Sequence, residues 1–293
     1  MIHPKKYFLE RCGENSVPYF SSNCSIIWIN PDMVRNFFYS KLQIIKQPFV
    51  LVICDGDNTF PHEVGLSSSE LNSLVSDPKI IHIFAQNNVI VHPKISSIPI
   101  GIDFHTLAYK NEKKTPPKNQ EKILKRIIEN SKSIEKRIDR IFVDFQHNDN
   151  IRNGSFKRYL ELNEDRKTIF QKLIQTNLID YTESPIDRSK LWEIKSNYTF
   201  TVSPHGNGLD CHRTWEDLAL GCIVIVKSSS IDNLYEDLPV VIINDWNEIT
   251  EKNLKEWKQK FSVIMKDRIY YEKLKNEYWI KKITDRSILE LPQ

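Results

Sequence analysis

Long apolar runs are missing from this chain. Phe49 to Cys54, one of its most hydrophobic stretches, is far shorter than the ~20 residues a membrane-spanning helix needs. The opening Met1-Ile2-His3-Pro4-Lys5-Lys6 has no apolar segment behind its lysines, so neither a membrane span nor a secretory leader is expected, and the expected location is cytoplasmic. The cysteines show no pairing pattern. There are five, at Cys12, Cys24, Cys54, Cys211 and Cys222, with no Cys-x-x-Cys among them, which argues against a disulfide framework and a cysteine zinc site. A one-signed charge excess is lacking too: 41 Lys+Arg against 38 Asp+Glu leave +3. No nucleic-acid partner is therefore expected, and any anion site must rest on particular residues. No repeat of fixed period occurs, which excludes a solenoid. Three N-glycosylation acceptor patterns, at Asn23, Asn153 and Asn197, are read as chance without a secretory signal.

What is present is the composition of a folded protein: 293 residues, 40% hydrophobic, 27% charged and 11% aromatic, long enough for two domains of about 150 residues each. Short apolar runs alternate with amphipathic stretches along the chain, the pattern of buried parallel strands separated by helices. The fold class expected is α/β. In the first third, Ser25–Trp28, Pro48–Cys54, Ile80–Phe84 and Ile98–Ile100 read as strands, with Asp32–Lys46 helical.

From Tyr109 to Arg140 the character changes. Eleven Lys/Arg stand against five Asp/Glu, and Thr115-Pro-Pro-Lys breaks the chain before a helical pattern from Gln120 to Arg137. Interleaved aromatics for base stacking are absent, so the basic run reads as a solvated connector between two domains. The domains expected are 1–108 and 140–270, joined by 109–139, with 271–293 a final helix that could pack back on the first domain.

In the second half, strands read at Arg140–Phe145, Leu178–Tyr181, Tyr198–Val202, Cys222–Val226 and Pro239–Ile243. Helices read at Glu164–Gln175, Ser189–Ser196, Cys211–Leu220 and Ser230–Leu234, with two long helical patterns after Thr250. The chemistry concentrates in Thr201-Val-Ser-Pro-His-Gly-Asn-Gly-Leu-Asp-Cys-His-Arg-Thr-Trp-Glu-Asp-Leu-Ala-Leu-Gly-Cys-Ile-Val-Ile-Val226, a strand, glycine-containing loop, helix and strand. In an open parallel sheet the strand's carboxyl end and the next helix's N-terminus favour an anion. Gly206 and Gly208 would let the loop backbone approach it. Arg213 and Glu216, three apart on one helix face, offer a donor fork for phosphate and an acceptor pair for vicinal hydroxyls. The bland alternative is a surface salt bridge between them.

This stretch resembles the nucleotide-sugar signature of exostosin-like glycosyltransferases, Ser-Pro-Arg-Gly-x-Gly followed by x-x-x-Arg-x-x-Glu-Ala-Leu and Gly-Cys-Ile-Pro-Val. Ser203, Pro204, Gly206, Gly208, Arg213, Glu216, Leu218, Gly221, Cys222 and Ile223 match; His205 replaces an Arg and Val224 a Pro. Weaker echoes lie in Asp55-Gly-Asp-Asn-Thr-Phe-Pro-His62, in Phe84-Ala-Gln-Asn87 and His92-Pro-Lys94, and in Pro99-Ile-Gly-Ile-Asp103. The resemblance implies a GT-B fold, two Rossmann-like domains facing across a cleft, the second holding the donor without a structural need for a metal. It implies transfer of a hexose or pentose from a UDP- or GDP-sugar to a hydroxyl of a glycan or related acceptor, with no other cofactor. The donor-binding residues expected are Ser203, His205, Gly206, Asn207, Gly208, Asp210, Arg213, Glu216 and Arg166.

Asp55-Gly-Asp57 after a buried strand has further readings: the metal-chelating pair of A-type glycosyltransferases, the nucleophile and acid/base of a haloacid-dehalogenase-like phosphatase, or an inert turn. The phosphatase reading has only Asp245 and Lys227 as loose partners. On the acceptor side of a GT-B cleft, Asp57 is the candidate base, with Asp55 and His62 as further catalytic candidates. His147, Asn148, Arg152, Arg158 and Arg166 follow the first strand of the second domain, where a diphosphate could meet them. The six tryptophans read as core, with Trp246 alone at a strand end. A non-catalytic glycan- or nucleotide-binding module is the non-enzyme alternative.

Overall fold

The computed structural model describes residues 26–110, 115–147, 165–267 and 269–289. Asn148, Arg152 and Arg158, the Asn23 and Asn153 patterns, Cys12, Cys24 and Ser25 lie outside these residues. The described chain divides into two compact units. One is drawn from Ile2–Ile100, Gly208–Asp210 and Lys275–Gln293, the other from Gly101–Asn207 and Cys211–Leu274. Each is α/β with a wholly parallel sheet and helices against it, the two Rossmann-like domains expected of the GT-B class.

The first unit holds β1 (Ile26–Ile29), β2 (Phe49–Ile53), β3 (Ile80–Ala85) and β4 (Ile95–Ser97), paired in chain order. All five residues of β2 and all six of β3 are buried, as unbroken apolar runs in a parallel sheet must be. Each fully buried Val, Leu or Ile there is worth about 1.5–3 kcal/mol of transfer free energy. Helix α1 (Ser68–Ser76) starts at a reciprocal capping box between Ser67 and Glu70. The segment Asp32–Lys46 is not one helix. It runs through 3-10, α and π turns. The π turn explains this: Phe37 and Leu42, five apart, both face the core, which α-helical periodicity would not allow. The strand expected at Ile98–Ile100 falls earlier, at β4, because Pro99 cannot donate to the ladder.

The second unit contains α2 (Pro117–Glu129), β5 (Ile138–Val143), α3 (Arg166–Gln175), β6 (Ile179–Tyr181), α4 (Arg188–Lys195), β7 (Tyr198–Val202), α5 (His212–Ala219), β8 (Ile223–Lys227), β9 (Val240–Ile243) and α6 (Glu251–Asp267). Its strand order is β6-β5-β7-β8-β9. The helix expected to reach Arg137 stops at Glu129, where the Asn130 side chain donates to Arg126 O and ends the helical ladder. The last helix, α7 (Asn276–Leu289), packs on β2 and β3 of the four-stranded unit. No helix among the described residues is long and apolar enough to cross a membrane.

Candidate nucleotide-sugar site

In the five-stranded sheet the chain leaves β5 to one side for β6 and returns on the other side as β7. Such a reversal opens a crevice beyond the carboxyl ends of the two strands, where ligands of open α/β sheets bind. Asp144 follows β5 and Ser203 follows β7 at this place.

Helix α5 places two side chains next to it, Arg213 half-buried and Glu216 buried. Arg213 Nε lies 3.1 Å from Asp144 Oδ1, its Nη1 3.5 Å from Ser203 Oγ, and its guanidinium 5.9 Å from the Phe145 ring centre. Glu216 Oε2 accepts from Trp192 Nε1 at 3.1 Å. With side-chain exposure of 16% for Arg213 and residue exposure of 8% for Glu216, and with different residues holding each, the surface-pair reading falls. Thr214 Oγ1 and Ser203 Oγ, 2.9 Å apart, fasten the helix to the strand end.

Beneath them runs a buried chain of alternating charge. Lys195 Nζ reaches Asp144 Oδ2 at 2.7 Å and also pairs with Asp217. Burial opposes the Lys195 charge, but Asp144, Asp217 and Glu216 outweigh it and hold the ammonium above its ordinary range. Burial likewise pushes against the Asp144 carboxylate, and Lys195 and Arg213 overcome it, so its pKa is lowered. Asp217, buried and facing the Asp144 charge, is pushed up to about 7. Two cations thus converge on Asp144.

The loop residues divide. Arg166 Nε donates to His205 O at 2.9 Å and Nη2 to Pro204 O at 3.4 Å, so the helix-start arginine braces the loop backbone. A Cβ on Gly206 would come 2.9 Å from Arg166 Nη2. Asn207 closes this part of the loop. Gly208 and Asp210 belong to the four-stranded unit. There Asp210 N donates to Asn87 Oδ1 at 2.8 Å, and Asp210 Oδ2 accepts from Ile100 N at 2.7 Å. A Cβ on Gly208 would lie 2.7 Å from Asn87 Nδ2 and 3.0 Å from Asp57 O, so that glycine serves a close backbone approach.

Asp55 turns with φ of 76°, its N–H on Gln86 Oε1 and its carbonyl accepting from Asn30. Asp57 and His62 are exposed. Lys227 and Asp245, the loose phosphatase partners, belong to the other unit. His147 is stacked on Phe170 with ring centres 3.6 Å apart. Trp246 is buried and is core, not a sugar platform.

Sequence reasoning missed Asp144, Lys195, Trp192 and Asp217, and also a cluster of Asp103, His105, Arg188 and His212. Asp103 Oδ1 lies 2.9 Å from His105 Nδ1 and its Oδ2 2.9 Å from Arg188 Nη2. His212 Nδ1 contacts Gly101 O at 2.6 Å. Asp103 ended a motif whose continuation, Phe104-His105, carried the signal.

No family model matches the chain, and no curated protein does. Solved structures do. An Escherichia coli trehalose-6-phosphate structure bound with UDP-2-fluoro glucose is 13% identical, covering 93% of this chain and 75% of that one at a TM-score of 0.43. A UDP-forming α,α-trehalose-phosphate synthase from Burkholderia xenovorans is 11% identical, covering 91% and 74% at 0.44. An α-glucosyltransferase in complex with UDP-glucose and DNA containing an abasic site is 11% identical, covering 90% and 80% at 0.38. The exostosin resemblance is corrected: no family model matches, and the solved structures similar to this chain include several trehalose-phosphate synthases. Several matched residues have duties that any such βαβ unit could require. Gly221 has φ of 78°, with Arg137 Nη2 2.9 Å from where a Cβ would sit, and Cys222 and Ile223 are core.

Proposed function

We propose that the chain is a glycosyltransferase that moves a hexosyl or pentosyl group from a UDP- or GDP-sugar to a hydroxyl of a glycan or related acceptor. The observation that carries this reading is half-buried Arg213 and buried Glu216 on one face of α5 beside the β5/β7 crevice, held there by Asp144 and Trp192. Arg213 would meet the diphosphate with a planar donor fork. Glu216 would accept from the ribose hydroxyls, and Ser203 with the 203–207 backbone would line the phosphate path. The five-stranded unit is on this reading the donor domain, within residues 140–270. Residues 1–108 would supply the acceptor side.

Departure of the diphosphate needs its growing charge met, and cationic and backbone donors do this without a chelating carboxylate pair. The test is calorimetric titration with UDP and GDP, followed by release of nucleotide from a panel of UDP- and GDP-sugars, each with and without EDTA. Binding with turnover that survives EDTA supports the reading. Binding without turnover marks a nucleotide-binding module, and loss with EDTA restored by Mn²⁺ would make Asp55 and Asp57 metal ligands.

A further inference from the structure

A cavity of about 150 Å³ opens between the segment Lys132–Arg137, Gly221, the end of α6 and the pair Tyr270-Tyr271, all in the unit of the five-stranded sheet. It lies at the opposite edge of that sheet from the crevice. Arg137 stands just before β5 and Gly221 shortly before β8, at the amino ends of these parallel strands, whereas Asp144 and Ser203 follow the carboxyl ends of β5 and β7. The six residues of β5, at about 3.3 Å each, put roughly 20 Å between the two places.

The cavity is cationic. Lys132, Arg137 and Lys266 line it against the single carboxylate of Glu135, which is exposed and so screened by water. Arg137 is buried and held by carbonyls: Nε donates to Lys132 O at 3.0 Å, Nη1 to Gly221 O at 2.7 Å and Tyr198 O at 3.4 Å, and Nη2 to Leu220 O at 2.9 Å. These take four of its five N–H groups. The carbonyls where α5 ends carry only the partial charge of a helix carboxyl terminus, and among the described residues no carboxylate pairs with Arg137, Lys132 or Lys266. The floor is apolar and aromatic. Ile134, Met265 and Tyr270 are buried, and the Tyr270 and Tyr271 ring centres are 4.7 Å apart. Burial raises the Tyr270 phenol well above its ordinary range, so it stays neutral.

An apolar floor under a cationic rim favours neither a bare hydrated ion nor a neutral hydrocarbon. We propose that this cavity is a binding site for a small anion carried on a ring-sized apolar body, of the arylcarboxylate class, separate from the nucleotide-sugar crevice. The volume suits that class, since cavities of about 150 Å³ admit one six-membered ring. The carboxylate would take the remaining Arg137 N–H and the two lysines as partners, and the ring would rest on Tyr270 and Met265. This site does not depend on the glycosyltransferase reading.

The experiment titrates the full chain, labelled with nitrogen-15, with benzoate, benzyl alcohol and inorganic phosphate, each with and without UDP, and follows the amide shifts. Benzoate should move the amides of Lys132–Arg137 and Gly221 saturably and stay in place when UDP is added. It should bind about tenfold more tightly than benzyl alcohol or phosphate, the scale of one charge-assisted hydrogen bond. Lys132→Gln combined with Lys266→Gln changes only exposed side chains. That double variant should weaken benzoate by about threefold or more and leave benzyl alcohol unchanged. Arg137→Lys keeps the charge, loses the fork and should weaken benzoate as well; if it does not fold, the lysine pair decides. Equal affinity for benzoate and benzyl alcohol, or benzoate binding unmoved in the double variant, overturns the anion assignment. Phosphate binding as tightly as benzoate overturns the ring. Absence of saturable shifts at these amides, or displacement of benzoate by UDP, overturns the site. If UDP itself does not bind, the glycosyltransferase reading fails alone and the benzoate titration still decides this one.

Discussion

Arg213 on α5 reaches back 3.1 Å to Asp144, the residue that follows β5, and Asp144 is shared with Lys195 from the end of α4. Three elements separated in sequence are tied at the crevice by one carboxylate with a cation on each side. A buried carboxylate in this position costs several kcal/mol of desolvation unless it is paired. The arrangement therefore holds the guanidinium in place, and on the proposed reading Lys195 would keep Asp144 partnered if Arg213 turned to a phosphate.

The first prediction separates binding from folding at this point. Arg213→Ala removes one of the two cations on Asp144 and should lower stability to urea by about 3 kcal/mol, the low end for breaking a buried pair, because Lys195 remains. Arg213→Lys keeps the charge and loses the fork. It should fold near wild-type stability yet bind nucleoside diphosphate about tenfold more weakly, the scale of one charge-assisted hydrogen bond. Unchanged UDP and GDP affinity in both variants would remove Arg213 from the donor site.

Glu216 offers a cleaner variant. Glu216→Gln keeps an oxygen for the Trp192 indole N–H and discards the charge, so the melting temperature should stay within about 2 °C. Affinity for UDP and GDP should fall about tenfold if the carboxylate accepts from ribose hydroxyls. Affinity for inorganic diphosphate, which has no ribose, should not change. A parallel loss for diphosphate would move Glu216 from the ribose to the phosphate path.

Most strands were legible because buried parallel strands leave unbroken apolar runs, and β2, β3, β7 and β8 each fall within two residues of theirs. What local pattern could not show was partnership across distance. Asp144 and Lys195 are unremarkable in their own neighbourhoods and become a charge relay only when β5 and α4 meet α5. The loop shows the same limit in reverse. Gly206 and Gly208 look like one ligand-facing pair, yet Arg166 packs against the first and Asn87 against the second, in different units.

Gly208 gives a packing prediction. A methyl there would lie 2.7 Å from Asn87 Nδ2 and 3.0 Å from the Asp57 carbonyl, and the backbone contact cannot be relieved by a side-chain rotation. Gly208→Ala should destabilise the protein by about 1–3 kcal/mol, and Asn87→Ala, which frees the side-chain half of the clash, should recover only part of that in the double variant. Full recovery would mean that Asn87 alone sets the requirement for glycine.

The last prediction concerns His82, in β3 and only 2% exposed. Its Nε2 sits 2.9 Å from Ser96 Oγ on β4. Burial, followed by the charges of Arg286 and Lys282 on α7 and of His92 and Lys94, lowers its pKa from 6.5 to about 4. Between those two values the unfolded chain holds a proton that the folded chain refuses, so stability is complete above about pH 6.5 and is lost as pH falls toward 4, by up to about 1.4 kcal/mol per pH unit. His82→Gln removes the titrating group and keeps a hydrogen-bonding amide for Ser96. Urea unfolding at pH 7.5, 6 and 5 should therefore show wild type losing ground against His82→Gln as the pH drops. Asp103, whose pKa is lowered despite its burial by bonds from His105, Thr106 and Arg188, loses its own contribution only below the ordinary carboxylate range and so does not blur this window. A wild-type to variant difference that stays constant across the three pH values would show that His82 accepts its proton while the fold is intact, and that the α7 cations do not hold it neutral.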